Sequence, residues 1–120
     1  MSAPNPDSLK DLIRVAVAFR DERDWAQFHT PKELAISLAV ESAELLQLLQ
    51  WHKPDDLSQI VDDKREHLRD ELADVLFSVL LLANELDFDL GQAFLDKLTK
   101  TAAKYPVEKS KGSPKKYTEL

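Results

Sequence analysis

Residues 72–83 read Leu-Ala-Asp-Val-Leu-Phe-Ser-Val-Leu-Leu-Leu-Ala, and only Asp74 and Ser78 among them are polar. On a helix, the apolar residues of this stretch cover nearly the whole circumference. A helix of this kind must be covered on more than one side, because apolar surface left in water is unfavourable. The stretch therefore predicts a helix that packs against several others.

Helix is also the prediction for most of the remaining chain, which contains only two glycines and no alternating runs of β-branched residues. Asp7 or Ser8 caps a first helix of about 16 residues. Thr30, Pro31 and Glu33 form the start of a second, with Thr at the N-cap, Pro at the first position and Glu in a capping box. The second helix is predicted to end near Lys53-Pro54, and a helical turn follows between 55 and 60. The third helix is predicted over 62–86. A fourth helix, capped by Asp89 with Gln92, is predicted to end before Tyr105.

The predicted fold class is all-α, with a four-helix bundle-type subunit. We expect a single domain over residues 1–106, followed by a polar, basic C-terminal tail over 107–120. The first interpretation of this tail is a disordered, solvated segment. Three companion helices are too few to cover residues 72–83, so a homodimer or homotetramer is expected. A monomeric four-helix bundle is the alternative.

Composition narrows the classes of function. The chain has no cysteine, which excludes disulfides and thiolate metal sites. Its net charge is −6, with −9 in residues 1–103 and +3 in residues 104–120, so the acidic body argues against a nucleic-acid polymer as partner. No secretory leader pattern opens the sequence and no apolar run reaches the roughly 18–20 residues of a membrane span. We expect a cytoplasmic protein without membrane partners.

Four carboxylates interrupt the two most apolar stretches. Glu41 and Glu44 form one pair and Glu71 and Asp74 the other, each at spacing i, i+3, which places both acids of a pair on one helix face. Burying an unpaired carboxylate costs several kcal/mol, on the order of the penalties measured for isolated buried charges. If the two helices run antiparallel, the pairs face each other and offer hard oxygen ligands of the kind that Mg²⁺ or Mn²⁺ prefers.

Two other interpretations of these acids were compared with a metal site. Acids at the edge of an apolar stripe often pair with Lys or Arg, but two such pairs inside apolar runs favour a metal. A di-iron site of the ferritin type needs Glu-x-x-His motifs, and the residues three before the histidines are Ala26, Leu49 and Lys64. The di-iron interpretation is therefore disfavoured.

The order E-x-x-E, about 26 residues, then E-x-x-D resembles the metal signature of the all-α nucleoside triphosphate pyrophosphohydrolases, the MazG-like superfamily. Sequence outside this motif is similar to the dCTP pyrophosphatase branch. The similar segments are Phe19–Pro31, Leu49-Gln50-Trp51, Lys104-Tyr105-Pro106 and the terminal Lys116–Leu120.

This resemblance implies hydrolysis of a nucleoside triphosphate to the monophosphate and pyrophosphate, in a role that cleanses the nucleotide pool. It implies that Glu41, Glu44, Glu71 and Asp74 hold Mg²⁺, with Mn²⁺ as a possible substitute. It also implies dimers or tetramers whose active sites receive residues from more than one chain. By position, Glu41 or Glu44 is the candidate to orient or deprotonate the attacking water.

Substrate contacts are expected from residues outside the metal motif. Aromatic faces stack on nucleobases, and by resemblance Trp25 and Trp51 line the pocket for the pyrimidine and sugar. His29 either contacts the substrate or only braces the loop before Thr30. The remaining candidates are Ser78, one turn after Asp74, Lys97 as a phosphate contact, and Thr101, which stands where related sequences tend to have Asn. For the tail over 107–120, the alternative to a disordered, solvated segment is a segment that closes over bound triphosphate.

The sequence thus predicts a Mg²⁺-dependent pyrophosphohydrolase acting on dCTP and related or modified pyrimidine deoxynucleotides. One alternative is a broad-specificity enzyme of the same superfamily. The other is a non-enzymatic helical adaptor or dimerisation module whose acids pair with a basic partner.

Overall fold

The computed structural model describes residues 3–120, and within this range the regular structure is helical with no strand. The all-α prediction is confirmed. The α-helices are α1 (Leu9–Glu22), α2 (Pro31–Leu49), α3 (Leu57–Asp63), α4 (Arg65–Glu85), α5 (Leu90–Lys104) and α6 (Val107–Ser110), with 3₁₀ turns at Ala26–Phe28, Pro54–Asp56 and Tyr117–Glu119. None of the helices in this range combines the length and hydropathy needed to cross a bilayer.

Helix starts follow the capping residues in the sequence. The side chain of Ser8 accepts the backbone N–H of Asp11 at 3.3 Å, and Thr30 accepts that of Glu33 at 3.2 Å. At the start of α5, the Asp89 carboxylate accepts the N–H of Gln92 at 3.2 Å. Each bond satisfies a donor that the first turn of a helix leaves free, so the three predicted N-caps are confirmed.

The end of α2 differs from the prediction. The helix stops at Leu49 instead of continuing to Lys53-Pro54, because Gln50 is extended, with ψ 147°. Trp51 follows in the left-handed region at φ 70°, which is a strained conformation for a bulky side chain. As a result Trp51 projects from the helix end and is 90% exposed.

The chain divides into two compact units, one ending at Asp87 and the other spanning Phe88–Leu120. In the first unit α1 and α2 both pack on α4. Leu81 of α4 is fully buried, and the other buried apolar side chains in this unit are Ala16, Leu34, Leu80 and Ala83. Arg20, which is 8% exposed, ties the end of α1 to the end of α4 by donating to Glu85 at 2.7 Å.

The second unit consists of α5 and the C-terminal segment. This segment is more regular than predicted, since it contains α6 and the turn Tyr117–Glu119. The rings of Tyr105 and Tyr117 meet edge to face at 5.9 Å, and the Lys104 ammonium lies 4.8 Å from the Tyr117 ring centroid. The prediction of a disordered tail is therefore wrong, whereas the division of the chain at residue 106 stays a prediction.

Candidate active site

Three of the four predicted carboxylates converge where α2 packs on α4. Glu41 and Glu44 from α2 and Glu71 from α4 each place one ligand atom within 4.8 Å of the other two. Packing of the two helices brings together acids that are 27 to 30 positions apart in the chain. Asp74, one turn beyond Glu71 on α4, lies outside this group of three.

No Lys or Arg in the described residues 3–120 pairs with this cluster. In residues 3–120 the Lys and Arg ion pairs involve other acids, namely Asp11, Asp21, Glu22 and Glu85. One oxygen of Glu41 and one of Glu71 are buried without a hydrogen-bond partner. The interpretation of these acids as partners of Lys or Arg is therefore wrong for this part of the chain.

The pKa of Glu41 reflects the burial and the negative charge of the cluster. Burial raises the pKa of its carboxyl group to about 7, and the neighbouring Glu44 carboxyl and the negative charge of Asp74 raise it further in the same direction. Each effect disfavours the ionised form. Asp74 is thus close enough to Glu41 to act on it electrostatically, although it lies outside the group of three.

Such a donor set fits a hard divalent cation. Carboxylate oxygens without protein partners are the ligands that Mg²⁺, Mn²⁺ and Ca²⁺ prefer. A cation placed among them satisfies the two orphaned oxygens and removes the mutual repulsion of the acids. These residues therefore form a candidate metal centre.

One neighbour of this centre was missed by the sequence analysis. Nε2 of His67 lies 3.6 Å from Oε1 of Glu71, one helical turn away, and the His67 side chain is 62% exposed. The i, i+4 spacing of His67 and Glu71 was the available signal. This contact leaves the buried Oε2 of Glu71 free.

Aromatic side chains gather beside α1. The Phe19 ring meets Trp25 at 5.8 Å and Phe77 at 5.9 Å, both edge to face, and Trp25 meets His29 at 6.0 Å. Nδ1 of His29 is buried without a hydrogen-bond partner. Two predicted substrate contacts, Trp25 and His29, are therefore neighbours in the fold.

The other predicted contacts are placed differently. Trp51 is exposed at the end of α2, and Ser78 is buried in α4 with 4% exposure. Lys97 and Thr101 belong to the second unit, where the Thr101 hydroxyl donates to the Lys97 carbonyl at 3.0 Å. The roles of these four residues stay predictions.

A cavity of about 440 Å³ between α1 and α4 was not predicted. Eight apolar side chains and the Asp74 carboxylate line it. Phe19 and Ala16 lie three residues apart on α1, a spacing that a packed core and a cavity wall share.

Comparison with known proteins shows which family the chain belongs to. The model of the MazG-like family matches residues 36–120. A dCTP pyrophosphatase 1 from Bos taurus is 39% identical over 115 residues, covering 94% of this chain and 68% of the relative, and one from Mus musculus is 38% identical, covering 98% and 70%. The chain belongs to the MazG-like family.

A solved structure agrees with this membership. A pyrophosphatase from Archaeoglobus fulgidus DSM 4304 superposes with a TM-score of 0.78 at 32% identity, covering 88% of this chain and 99% of that one. The predicted resemblance and the predicted enzyme class, nucleoside triphosphate pyrophosphohydrolase, are confirmed by these relatives. Glu41, Glu44 and Glu71, which the resemblance in the sequence placed at a metal, are the acids whose oxygens converge.

Proposed function

We propose that this MazG-like protein hydrolyses deoxynucleoside triphosphates to the monophosphate and pyrophosphate in a Mg²⁺-dependent reaction. dCTP and related or modified pyrimidine deoxynucleotides are the proposed substrates, in a role that cleanses the nucleotide pool. The observation that carries the proposal is the convergence of Glu41, Glu44 and Glu71, with buried unpartnered oxygens on Glu41 and Glu71 and no Lys or Arg paired with them in residues 3–120. The names of the Bos taurus and Mus musculus relatives support dCTP as substrate.

Four residues would hold the metal, namely Glu41, Glu44, Glu71 and Asp74. Mg²⁺ is the proposed cation and Mn²⁺ a substitute, since both prefer carboxylate oxygens. When bound, the metal supplies positive charge that offsets the triphosphate and makes a nearby water more acidic.

The carboxylates also handle the proton of the reaction. Water attacks the α-phosphorus, the bond from this phosphorus to the bridging oxygen breaks, and pyrophosphate leaves with the electron pair. Glu41 or Glu44 accepts the proton of the water, a role that a carboxylate beside the attacking water can fill. No covalent intermediate with the protein is required.

Substrate contacts are proposed for the remaining residues. Trp25, between the rings of Phe19 and His29, contacts the nucleoside together with His29, and the exposed Trp51 stacks on a base. Ser78 follows Asp74 on α4 and completes the wall of the site. Lys97 and Thr101 would bind phosphate oxygens by charge and by the hydroxyl group.

Pyrophosphate release from dCTP, measured with Mg²⁺ and with EDTA, tests the proposal. Release should require the metal and should nearly vanish in Glu44→Gln, whose helical circular dichroism remains that of the wild type. Glu33→Gln is the matched control, because Glu33 lies on the same helix at an exposed position. An adaptor protein would release no pyrophosphate under either condition, and full Mg²⁺-dependent activity of Glu44→Gln would refute the assigned site.

We further propose that the protein is a homodimer or homotetramer. Large apolar side chains of α2 and α4 remain exposed in the single chain, among them Val40 at 48%, Leu46 at 67% and Leu72 at 57%. Apolar surface of this kind is typical of an interface between subunits. Sedimentation analysis should show a dimer or tetramer, and Leu46→Glu should lower the mass; a monomeric wild type would contradict this proposal.

A further inference from the structure

Trp25 is held in place by the way in which helix α1 ends. The backbone N–H of Trp25 donates to the Arg20 carbonyl at 3.1 Å. The N–H of Asp24 donates to the Asp21 carbonyl, also at 3.1 Å. With Asp24 in the left-handed region at φ 54°, these two bonds form a Schellman motif. The apolar contact that accompanies such a motif is made here by Trp25 and the Phe19 ring, which meet edge to face at 5.8 Å.

The end of α1 is itself fixed to α4. The Arg20 side chain is buried, and its guanidinium donates to Glu85 of α4 at 2.7 Å. Helix α4 also carries Glu71, one of the acids of the proposed metal site. The Schellman motif therefore holds Trp25 in a defined position relative to a helix that would bind the metal.

Asp24 is the residue on which this turn depends. Glycine is preferred at the left-handed position of the motif, because a Cβ atom is disfavoured at positive φ. Asp tolerates the conformation better than most residues, and the Gln27 side chain supports it by donating to the Asp24 carbonyl at 3.0 Å and to its carboxylate at 3.2 Å. A β-branched residue would oppose the turn, whereas glycine would keep it.

A separate observation indicates that a ligand contacts this region. The rings of Trp25 and His29 meet at 6.0 Å, and Nδ1 of His29 is buried without a hydrogen-bond partner. Buried polar atoms without a partner are rare in folded proteins, and each calls for a group that satisfies it. The Trp25 side chain is 38% exposed, so part of its ring is open to a ligand while another part contacts Phe19.

We propose that Asp24 is a positioning residue, which presents Trp25 to the nucleoside of the substrate through the left-handed turn at the end of α1. The inference rests on the proposed function, in which Trp25 contacts the nucleoside. Asp24 acts through the backbone of Trp25 and not on the reacting atoms. Its substitution should therefore change KM and leave kcat unchanged, the pattern expected when binding is lost equally from the ground state and the transition state.

Substitutions that all remove the carboxylate separate the turn from the charge. Asp24→Val opposes the left-handed backbone and should raise KM for dCTP by at least about 3-fold, a part of the roughly 5- to 150-fold that a base stacked on an aromatic ring is worth. Asp24→Ala should give a smaller rise, and Asp24→Gly should keep the wild-type KM. The dependence on Mg²⁺ should be the same in all three. If Asp24→Val loses its helical circular dichroism, the alanine and glycine variants make the same comparison.

Fluorescence of Trp25 shows whether the effect passes through this ring. The chain has two tryptophans, so Trp51→Phe leaves Trp25 as the single one. In that background, acrylamide should quench Trp25 more strongly when Asp24 is replaced by valine than when it is kept or replaced by glycine. Ser8→Ala is the control for a general loss of stability, because it removes the N-cap bond at the other end of α1. It should change neither KM nor the quenching.

Several results would contradict the positioning role. A wild-type KM in both Asp24→Val and Asp24→Ala, or an equal rise in KM in the glycine variant, would overturn it and leave the proposed function standing. The same holds for an equal rise in Ser8→Ala, or for a rise in KM without a change in the quenching of Trp25. Absence of pyrophosphate release from dCTP in the wild type would overturn both proposals.

Discussion

Helix α4 packs on α2 with a cluster of carboxylates in the contact, and packs on α1 through apolar side chains that border the cavity. On the α2 side, Glu41 and Glu71 bury oxygens without partners, which destabilises the fold in the absence of a cation. On the α1 side the wall is almost wholly apolar, and Val15 and Phe19 remain 43% and 41% exposed there, which leaves apolar surface in water. The comparison shows that a helix apolar around its circumference need not be uniformly packed. Stability is lowered on the α2 side by buried acids without partners, and on the α1 side by apolar side chains that remain exposed.

The largest effect should come from removing one acid of the α2 side. Glu71→Gln should lower kcat by at least about 100-fold, since even residues that only support metal ligands contribute 10- to 100-fold. The metal-free protein should nevertheless be no less stable, because the substitution removes a charge from a repulsive cluster. Pyrophosphate release and urea unfolding measure the two quantities. Glu66→Gln, an exposed acid on the same helix, should change neither.

The α1 side should respond in the opposite way. Leu80→Ala should lower the free energy of unfolding by an amount near the low end of about 2–5 kcal/mol, since Leu80 is buried but already faces the cavity on one side. Its Mg²⁺ dependence should stay as in the wild type, because the acids are untouched. A loss of Mg²⁺ dependence in Leu80→Ala would show that the two faces are not separate.

Metal binding should stabilise the protein through the α2 side alone. At a Mg²⁺ concentration 100 times Kd, linkage predicts a gain of about 2.7 kcal/mol in the free energy of unfolding. The gain should persist in Leu80→Ala and disappear in Glu71→Gln, as read from unfolding curves with and without Mg²⁺. An equal gain in Glu71→Gln would place the cation elsewhere.

The parts of this comparison differ in how far the sequence could predict them. Thr30 and Asp89 set helix starts through local hydrogen bonds, and the i, i+3 spacing of the acids fixes one face of each helix. Both kinds of feature follow from local geometry, and the structure agrees with both. The all-α fold was predictable for the same reason.

Other features depend on how helices meet. Phe19 and Ala16 have the spacing of core residues, and only the packing of α1 on α4 decides that they border a cavity. The left-handed backbone of Trp51 likewise has no signal in its own side chain, which disfavours this conformation. The early end of α2 was not predicted, because Pro54 is the nearest helix-ending residue in the sequence and the turn at Gln50 and Trp51 has no such signal.

A further effect, and the one that isolates the charge of the α2 side, is the pH dependence of the metal-free protein. The pKa of Glu41 is raised from 4.5 to about 7, chiefly by burial and then by the neighbouring acids, so the folded state holds this proton more tightly than the unfolded state. The stabilisation is complete below pH 4.5 and is lost as the pH rises through about 7, and the free energy of unfolding should fall between these values. Glu41→Gln cannot titrate and should lack this part of the slope, whereas Glu33→Gln should keep it.

Urea unfolding at several pH values in EDTA measures the slopes. Equal slopes in the wild type and Glu41→Gln would mean that neither burial nor the neighbouring acids raise the pKa of Glu41, and the contrast between the two faces of α4 would then rest on the α1 side alone.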